Sequence, residues 1–152
     1  MYSFSEYIES NFARLPWITN KEKQIHPIAG LDAAASLLEN YADKIYPLVL
    51  VEDLTDGFFS HEDGFLNNYM KPVWIMSKPE NPEVVTQRED IMKKCLTCGQ
   101  DLIKLLIADT FDNQFAYSFD KTRIGYYPMS NIGYCFGYIF NFSFKQDVDL
   151  VL

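Results

Sequence analysis

The chain has 152 residues, of which 48% are hydrophobic and 16% aromatic, and its formal net charge is -8. This composition excludes a disordered chain, because disordered segments are poor in aromatic residues, and the length suits one domain with its own core. Nucleic acid and anionic membranes require a basic patch on the protein. The chain has no cluster of Lys and Arg, so we predict neither as a ligand.

Cysteine content and the first residues indicate the compartment. Three cysteines, an odd number, argue against a disulfide framework and favour a reducing compartment. The opening MYSFSEYIESNF lacks the basic region and apolar run of a signal peptide, and no segment has the ~18 uninterrupted apolar residues of a membrane helix. We expect a cytoplasmic protein, in its own cell or in a host cell, with no membrane partner.

The first part of the chain predicts two helices and one strand. The first helix begins at the capping residue Ser3 and ends at Leu15, before Pro16. After a connecting loop that runs to Gly30, the Ala- and Leu-rich stretch 31–43 predicts a second helix. The strand predicted at 45–52 (IYPLVLVE) is apolar on both faces, which is typical of a central strand.

A long polar segment, Asp53–Asn68, separates this strand from its expected antiparallel partner, Tyr69–Ser77. It lacks the pattern of an EF-hand loop, so we interpret its acidic residues as solvated charges. Its three phenylalanines, Phe58, Phe59 and Phe65, are unusual in a solvated loop. Because long loops are often functional, we predict that these three residues contact a partner protein.

The longest predicted helix runs from residue 82 or 83 to Ala108 and is amphipathic. It contains the CxxC pair Cys95 and Cys98, which could be a redox pair, half of a metal site, or core packing. A redox pair needs the N terminus of a helix, and a Cys₄ zinc site needs a second CxxC. Neither condition is met, so we predict that both cysteines pack in the core and that Gly99 gives the closest approach to the sheet.

The end of the chain predicts two strands, at 115–119 and at Tyr134–Phe144. Every even position of the second is aromatic, and this period-2 alternation indicates one large-residue face buried under the long helix. The resulting prediction is an α+β fold: an antiparallel sheet of about four strands, a long amphipathic helix across one face, and N-terminal helices. We expect a single domain, 1–152, with a helical region at 1–43 and a sheet-and-helix core at 44–152.

This order of elements resembles the phage tail-terminator or tail-completion proteins, which join head to tail. The resemblance covers roughly residues 1–145 and includes the strands YPLVLVE and KPVWIMS, the helix QREDIMKKCLTCGQDLIKLLIADT, and the ending GYCFGYIFNFSFKQDVD. It implies a non-enzymatic virion-assembly protein that forms a homo-oligomeric ring, commonly hexameric, and binds other structural proteins. The family's hairpin loop would correspond to Asp53–Asn68.

Residue chemistry leaves two alternatives beside this resemblance. One is a small soluble module that binds a ligand or a protein, and the other is a metal or thiol enzyme that uses Cys95 and Cys98. The sequence offers two histidines, both in predicted loops, and no arrangement typical of a catalytic triad. We therefore predict a protein that is not an enzyme and that needs no cofactor or metal.

Overall fold

The computed structural model describes residues 4–40, 44–53, 56–61, 64–111, 118–120 and 123–148. Its helices are α1 (Phe4–Asn11), a 3-10 turn (Phe12–Arg14), α2 (Lys21–Gln24), α3 (Leu31–Asn40) and α4 (Val85–Phe111). Its strands are β1 (Ile25–Ile28), β2 (Leu48–Glu52), β3 (Gly57–His61), β4 (Phe65–Ser77), β5 (Ser118–Phe119), β6 (Gly125–Ile132) and β7 (Cys135–Asp147). The predicted α+β class is confirmed.

Two strands of thirteen residues each, β4 and β7, form the middle of the sheet and pair antiparallel over twelve residue pairs. At one end, which we call the core end, the strand order is β1-β2-β4-β7-β6. At the other end, which we call the arm end, β3 pairs with the first residues of β4, and β5 pairs with the last residues of β7. The long strands therefore connect two differently built regions.

The predicted sheet of about four antiparallel strands is wrong in strand number and in direction. The described residues form seven strands, and the sheet is mixed because β1 lies parallel to β2. The predicted loop 16–30 contains α2 and β1, and the predicted loop 53–68 contains β3 and the start of β4. The strands β1 and β3 are short and interrupt polar sequence, so no hydrophobic periodicity marked them. A third missed strand, β6, lies between the two strands predicted at the end of the chain. Of the strand predicted at 115–119, residues 115–117 lie outside the described residues and 118–119 form β5.

The first core lies between one face of the sheet and the helices α1 and α4. The predicted aromatic stripe of β7 faces these helices, and Phe140, Phe142 and Phe144 are each at most 1% exposed. Tyr138 on the same stripe is half-buried. Tyr134 is an exception, since it lies in the β6–β7 turn and is exposed. The prediction that this stripe is the core face under the long helix is confirmed.

A second core covers the opposite face at the core end, where α3 packs on the sheet. Its buried side chains include Trp74, Cys135 and Ile139, together with Leu38 of α3. The helix α3 therefore lies on the face of the sheet opposite to α4. The small residues on this face of β7 do not indicate what covers them. The helix that buries them is distant in sequence, so its position depends on tertiary contacts that a local pattern does not contain.

A buried polar contact connects α1 to the end of α4. Tyr7 donates its phenolic O–H to Asp109 Oδ2 at 2.5 Å, and Arg14 Nη1 donates to the same oxygen at 2.8 Å. Asp109 is only 5% exposed, so these two donors compensate the burial of its carboxylate. Burial and the contact with Asp109 raise the pKa of Tyr7 far above its ordinary value. The contact orients α1 on the first core.

Candidate functional site

In the described part of the segment predicted to contact a partner, β3 pairs with residues 65–70 of β4 at the arm end as the two strands of a hairpin. Residues 54–55 and 62–63 of that segment lie outside the described residues. We call this hairpin the arm. All five residues of β3 are in register with β4, from Gly57 opposite Tyr69 to His61 opposite Phe65. Met70 N donates to Asp56 O at 2.9 Å, and a side-chain bond from Asn68 Nδ2 to Ser60 Oγ at 2.8 Å adds to the ladder. These bonds fix the strand that presents the phenylalanines.

The structure brings two of the three predicted phenylalanines together. Phe59 stacks on Phe65 with ring centroids 5.5 Å apart and planes 1° from parallel, and His61 meets Phe65 edge-on. Phe58, the neighbouring residue in the strand, points to the opposite face of the arm. Phe58 and Phe59 are 66% and 64% exposed, so each face of the arm presents one aromatic ring to solvent.

The arm is anchored to the first core by a stacked pair that sequence reasoning did not identify. Tyr69 of β4 lies over Phe144 of β7 with ring centroids 5.5 Å apart, and Phe144 is 1% exposed. The two residues are direct partners in the β4–β7 register. Phe59 and Phe65 therefore lie on the same face of the sheet as Tyr69 and the buried Phe144, whereas Phe58 lies on the other face.

A groove of about 370 Å³ lies beside Phe58. Besides Phe58, its lining includes the 40% exposed side chain of Met70, the acidic residues Asp56 and Asp120, and Lys145. Sequence reasoning missed this groove because Asp120, which follows β5, and Lys145 of β7 are far from Phe58 in sequence. Its mixture of apolar surface and carboxylates suits an extended segment that carries both apolar and basic side chains.

The CxxC pair lies in the first core. Cys95 is fully buried and Cys98 is 4% exposed, and the Cys95 thiol lies 3.7 Å from the carbonyl oxygen of Phe136. Burial raises the pKa of Cys95 to about 12 and that of Cys98 to about 11. Both are therefore thiols at neutral pH, whereas the reactive form of cysteine is the thiolate. The predicted packing role of this pair is confirmed.

A second cavity, of about 430 Å³, lies between α1, α2 and the β1–β2 edge. It is lined by Ile8, Lys21, Glu22, Ile25, Pro27, Val51 and Asp53. Its volume falls within the range of small-molecule sites, about 300 to 1,000 Å³. The lining combines apolar side chains with charges of both signs, which is compatible with a small amphipathic ligand.

Comparison with known proteins gives no relative, since neither a family model nor a curated protein matches the chain. Among the described residues, no group of three or more His, Cys, Asp or Glu side chains is arranged to hold a metal ion. None of the helices in the described ranges combines the length and the apolar character that a membrane span requires.

Proposed function

We propose that this chain is a non-enzymatic assembly protein that forms a homo-oligomeric ring and joins other structural proteins, as its resemblance to phage tail terminators implies. The exposure of Phe58 and Phe59 on the arm supports this proposal most directly. Aromatic side chains contribute large contact areas to protein interfaces, where they are enriched. Two adjacent exposed rings on an ordered strand are therefore a suitable anchor for a partner protein.

The orientation of the sheet suggests how ring contacts and partner contacts are divided. The arm extends along the strand direction, whereas β1 and β6 form the two flanks of the core end, perpendicular to that direction. A ring requires two different surfaces that meet head to tail, and two opposite flanks meet this requirement. The β6 flank exposes Tyr126 and Tyr127, 55% and 45% accessible. We assign the flanks to ring contacts and the arm to the partner.

Multi-angle light scattering tests the ring. The purified protein should have a mass several-fold above the 17.7 kDa of one chain. Tyr126→Ser combined with Tyr127→Ser should lower that mass, because it removes the aromatic surface of the β6 flank. Val85→Ser is the matched control, since Val85 is equally exposed at 55% but lies at the start of α4. A strict monomer over a wide concentration range contradicts the ring.

A ligand-binding module is a second candidate, favoured by the cavity of about 430 Å³ beside β1. Native mass spectrometry of the purified protein distinguishes it from the assembly role. A bound small molecule that is present in the parent protein and absent from Ile25→Trp, which fills the cavity, would favour the ligand-binding module. Identical spectra of apo protein for both would leave that candidate without support.

A further inference from the structure

The outer strands of the sheet differ in how they are protected against pairing with another chain. In the described residues, β1 has four residues and contains Pro27, and β5 has only two residues. The β6 strand contains Pro128 and a register shift between Met129 and Ile132. Short strands, prolines and irregular register all block the addition of a further strand. The β3 strand, GFFSH, has five regularly paired residues, no proline and no lysine.

The outer backbone of β3 is suitable for hydrogen bonding to an added strand. Asp56 O accepts from Met70 N, so residue 56 directs its main-chain groups toward β4. Because these groups alternate along a strand, residues 58 and 60 also face β4. The N–H and C=O groups of Gly57, Phe59 and His61 then point away from β4, on a side where no other strand of the described residues pairs with β3.

We propose that β3 accepts an extended segment of a basic partner protein as an additional strand of the sheet. This inference rests on the proposed function in one respect, namely that the arm is the surface for partner contact. Strand addition supplies affinity through main-chain hydrogen bonds and specificity through alternate side chains. The two exposed phenylalanines lie on opposite faces of β3, so each covers one side of the added strand.

The charge of the segment favours a basic partner over a second copy of this chain. Residues 53–64 contain four acidic residues and no Lys or Arg. Two copies paired through β3 would bring two such segments together, and like charges on adjacent strands destabilise the pairing. In the groove beside Phe58, Asp120 adds one carboxylate to that of Asp56, against the single basic side chain of Lys145. An added strand that alternates apolar and basic residues would place basic side chains near these groups.

A synthetic peptide tests this inference on the full-length protein. The probe is a capped octapeptide of alternating Lys and Val, with two comparison peptides: alternating Glu and Val, and Lys–Val with every backbone amide N-methylated. Fluorescence anisotropy should show binding of the first peptide that weakens as ionic strength rises. Hydrogen exchange should show new protection of the Phe59 and His61 amides. Binding of the N-methylated peptide with equal affinity would exclude strand addition, and equal binding of the Glu peptide would exclude a basic partner.

Two substitutions at one position separate backbone from side chain. Phe59→Ala and Phe59→Pro both remove the ring, but only proline removes the outward N–H. Phe59→Pro should bind the Lys–Val peptide about tenfold more weakly than Phe59→Ala, as expected for one lost hydrogen bond and the steric block. Protection of the Met70 amide, which donates to Asp56, reports whether the arm is still paired. Equal affinities in variants with a paired arm would contradict the proposal.

A charge variant provides a test that does not depend on proline. Asp56 is exposed, so Asp56→Asn should leave the fold intact and weaken binding of the Lys–Val peptide about threefold at low salt. Unchanged affinity would contradict the electrostatic part of the proposal.

Dimerisation of the parent chain that is lost only in Phe59→Pro would identify a second copy as the occupant and overturn the proposal. The oligomeric mass measured by light scattering without peptide tests the ring, and peptide binding tests strand addition. Failure of one proposal is therefore distinguishable from failure of the other.

Discussion

Gly99 and Phe140 determine how closely α4 approaches the sheet. A Cβ atom built at Gly99 would overlap the ring of Phe140, which is 1% exposed and cannot move aside without disturbing the first core. The sequence placed Gly99 on the apolar stripe of the helix and predicted the closest approach there, and the structure shows that Gly99 lies directly against the ring of Phe140. Helical periodicity was sufficient for this prediction. A glycine on the buried face of a helix has no side chain, so a neighbouring element can pack closely against the helix backbone.

Substitution of Gly99 by leucine should therefore lower the free energy of unfolding by about 3 kcal/mol, because the new side chain overpacks the core against Phe140. Gln100→Leu introduces the same side chain one position away, on the exposed side of α4, and should change stability by less than about 0.5 kcal/mol. Cys95→Ala should cost about 1 kcal/mol, since it removes only a small buried group. Urea denaturation measures all three. Equal midpoints for Gly99→Leu and the parent would contradict the packing described.

The buried thiol of Cys95 should make stability depend on alkaline pH. Burial raises its pKa from 9.0 to about 12 in the folded state, so above pH 9 the unfolded chain loses this proton while the folded chain keeps it. The contribution is complete below pH 9 and is lost as pH rises toward 12. Between pH 8 and pH 10 the parent should lose about 1 kcal/mol more than Cys95→Ala. Urea denaturation at both pH values measures this difference, and parallel losses would show that the thiol ionises equally in both states.

At the scale of elements, periodic segments were predictable and short ones were not. The strand β7 and the helix α4 were found because each repeats its apolar residues over several turns or strand pairs. The strand β1 consists of only Ile25–Ile28 and contains a proline, and its pairing with β2 depends on contacts distant in sequence. Local pattern contains too little information to define such a strand.

The candidate site was predictable in its side chains but not in its backbone. Phe58, Phe59 and Phe65 were identified because aromatic residues in an acidic segment need an explanation. Their division into a stacked pair and a single ring on the other face depends on β3 being a strand. The outer side of β3, on which no strand of the described residues pairs, was not predictable, because it follows from the pairing of the other strands.

The β6–β7 turn sets the position of α3 and can be tested by two matched glycines. Gly133 has a φ of +57°, and an added Cβ would lie 2.6 Å from the carbonyl oxygen of Leu38 in α3. Gly125, at the other end of β6, would meet nothing within 4 Å and has no positive φ. Gly133→Ala should therefore destabilise the fold by about 2 kcal/mol, whereas Gly125→Ala should have little effect. Thermal denaturation of both variants measures this, and equal melting temperatures would contradict the α3 contact.

At the scale of the whole molecule, the two cores and the arm should differ in local stability. The strand residues 73–76 are buried between α4 and α3, whereas β3 is exposed and, among the described residues, pairs with β4 alone. Amide hydrogen exchange should therefore be slowest in 73–76 and in 139–142 and much faster in 57–61. Exchange of β3 as slow as that of the core strands would indicate that its outer side is already covered, for example by a second copy of the chain.

The continuity of β4 and β7 from the cores into the arm has a mechanical consequence. If the chain assembles into the proposed ring, a partner held at the arm and pulled away from that ring would load the sheet along its strands. The twelve residue pairs between β4 and β7 would then resist in shear, with many hydrogen bonds bearing the force together instead of opening one after another. The fold is thus suited to transmit tension between the arm and the core end of the sheet.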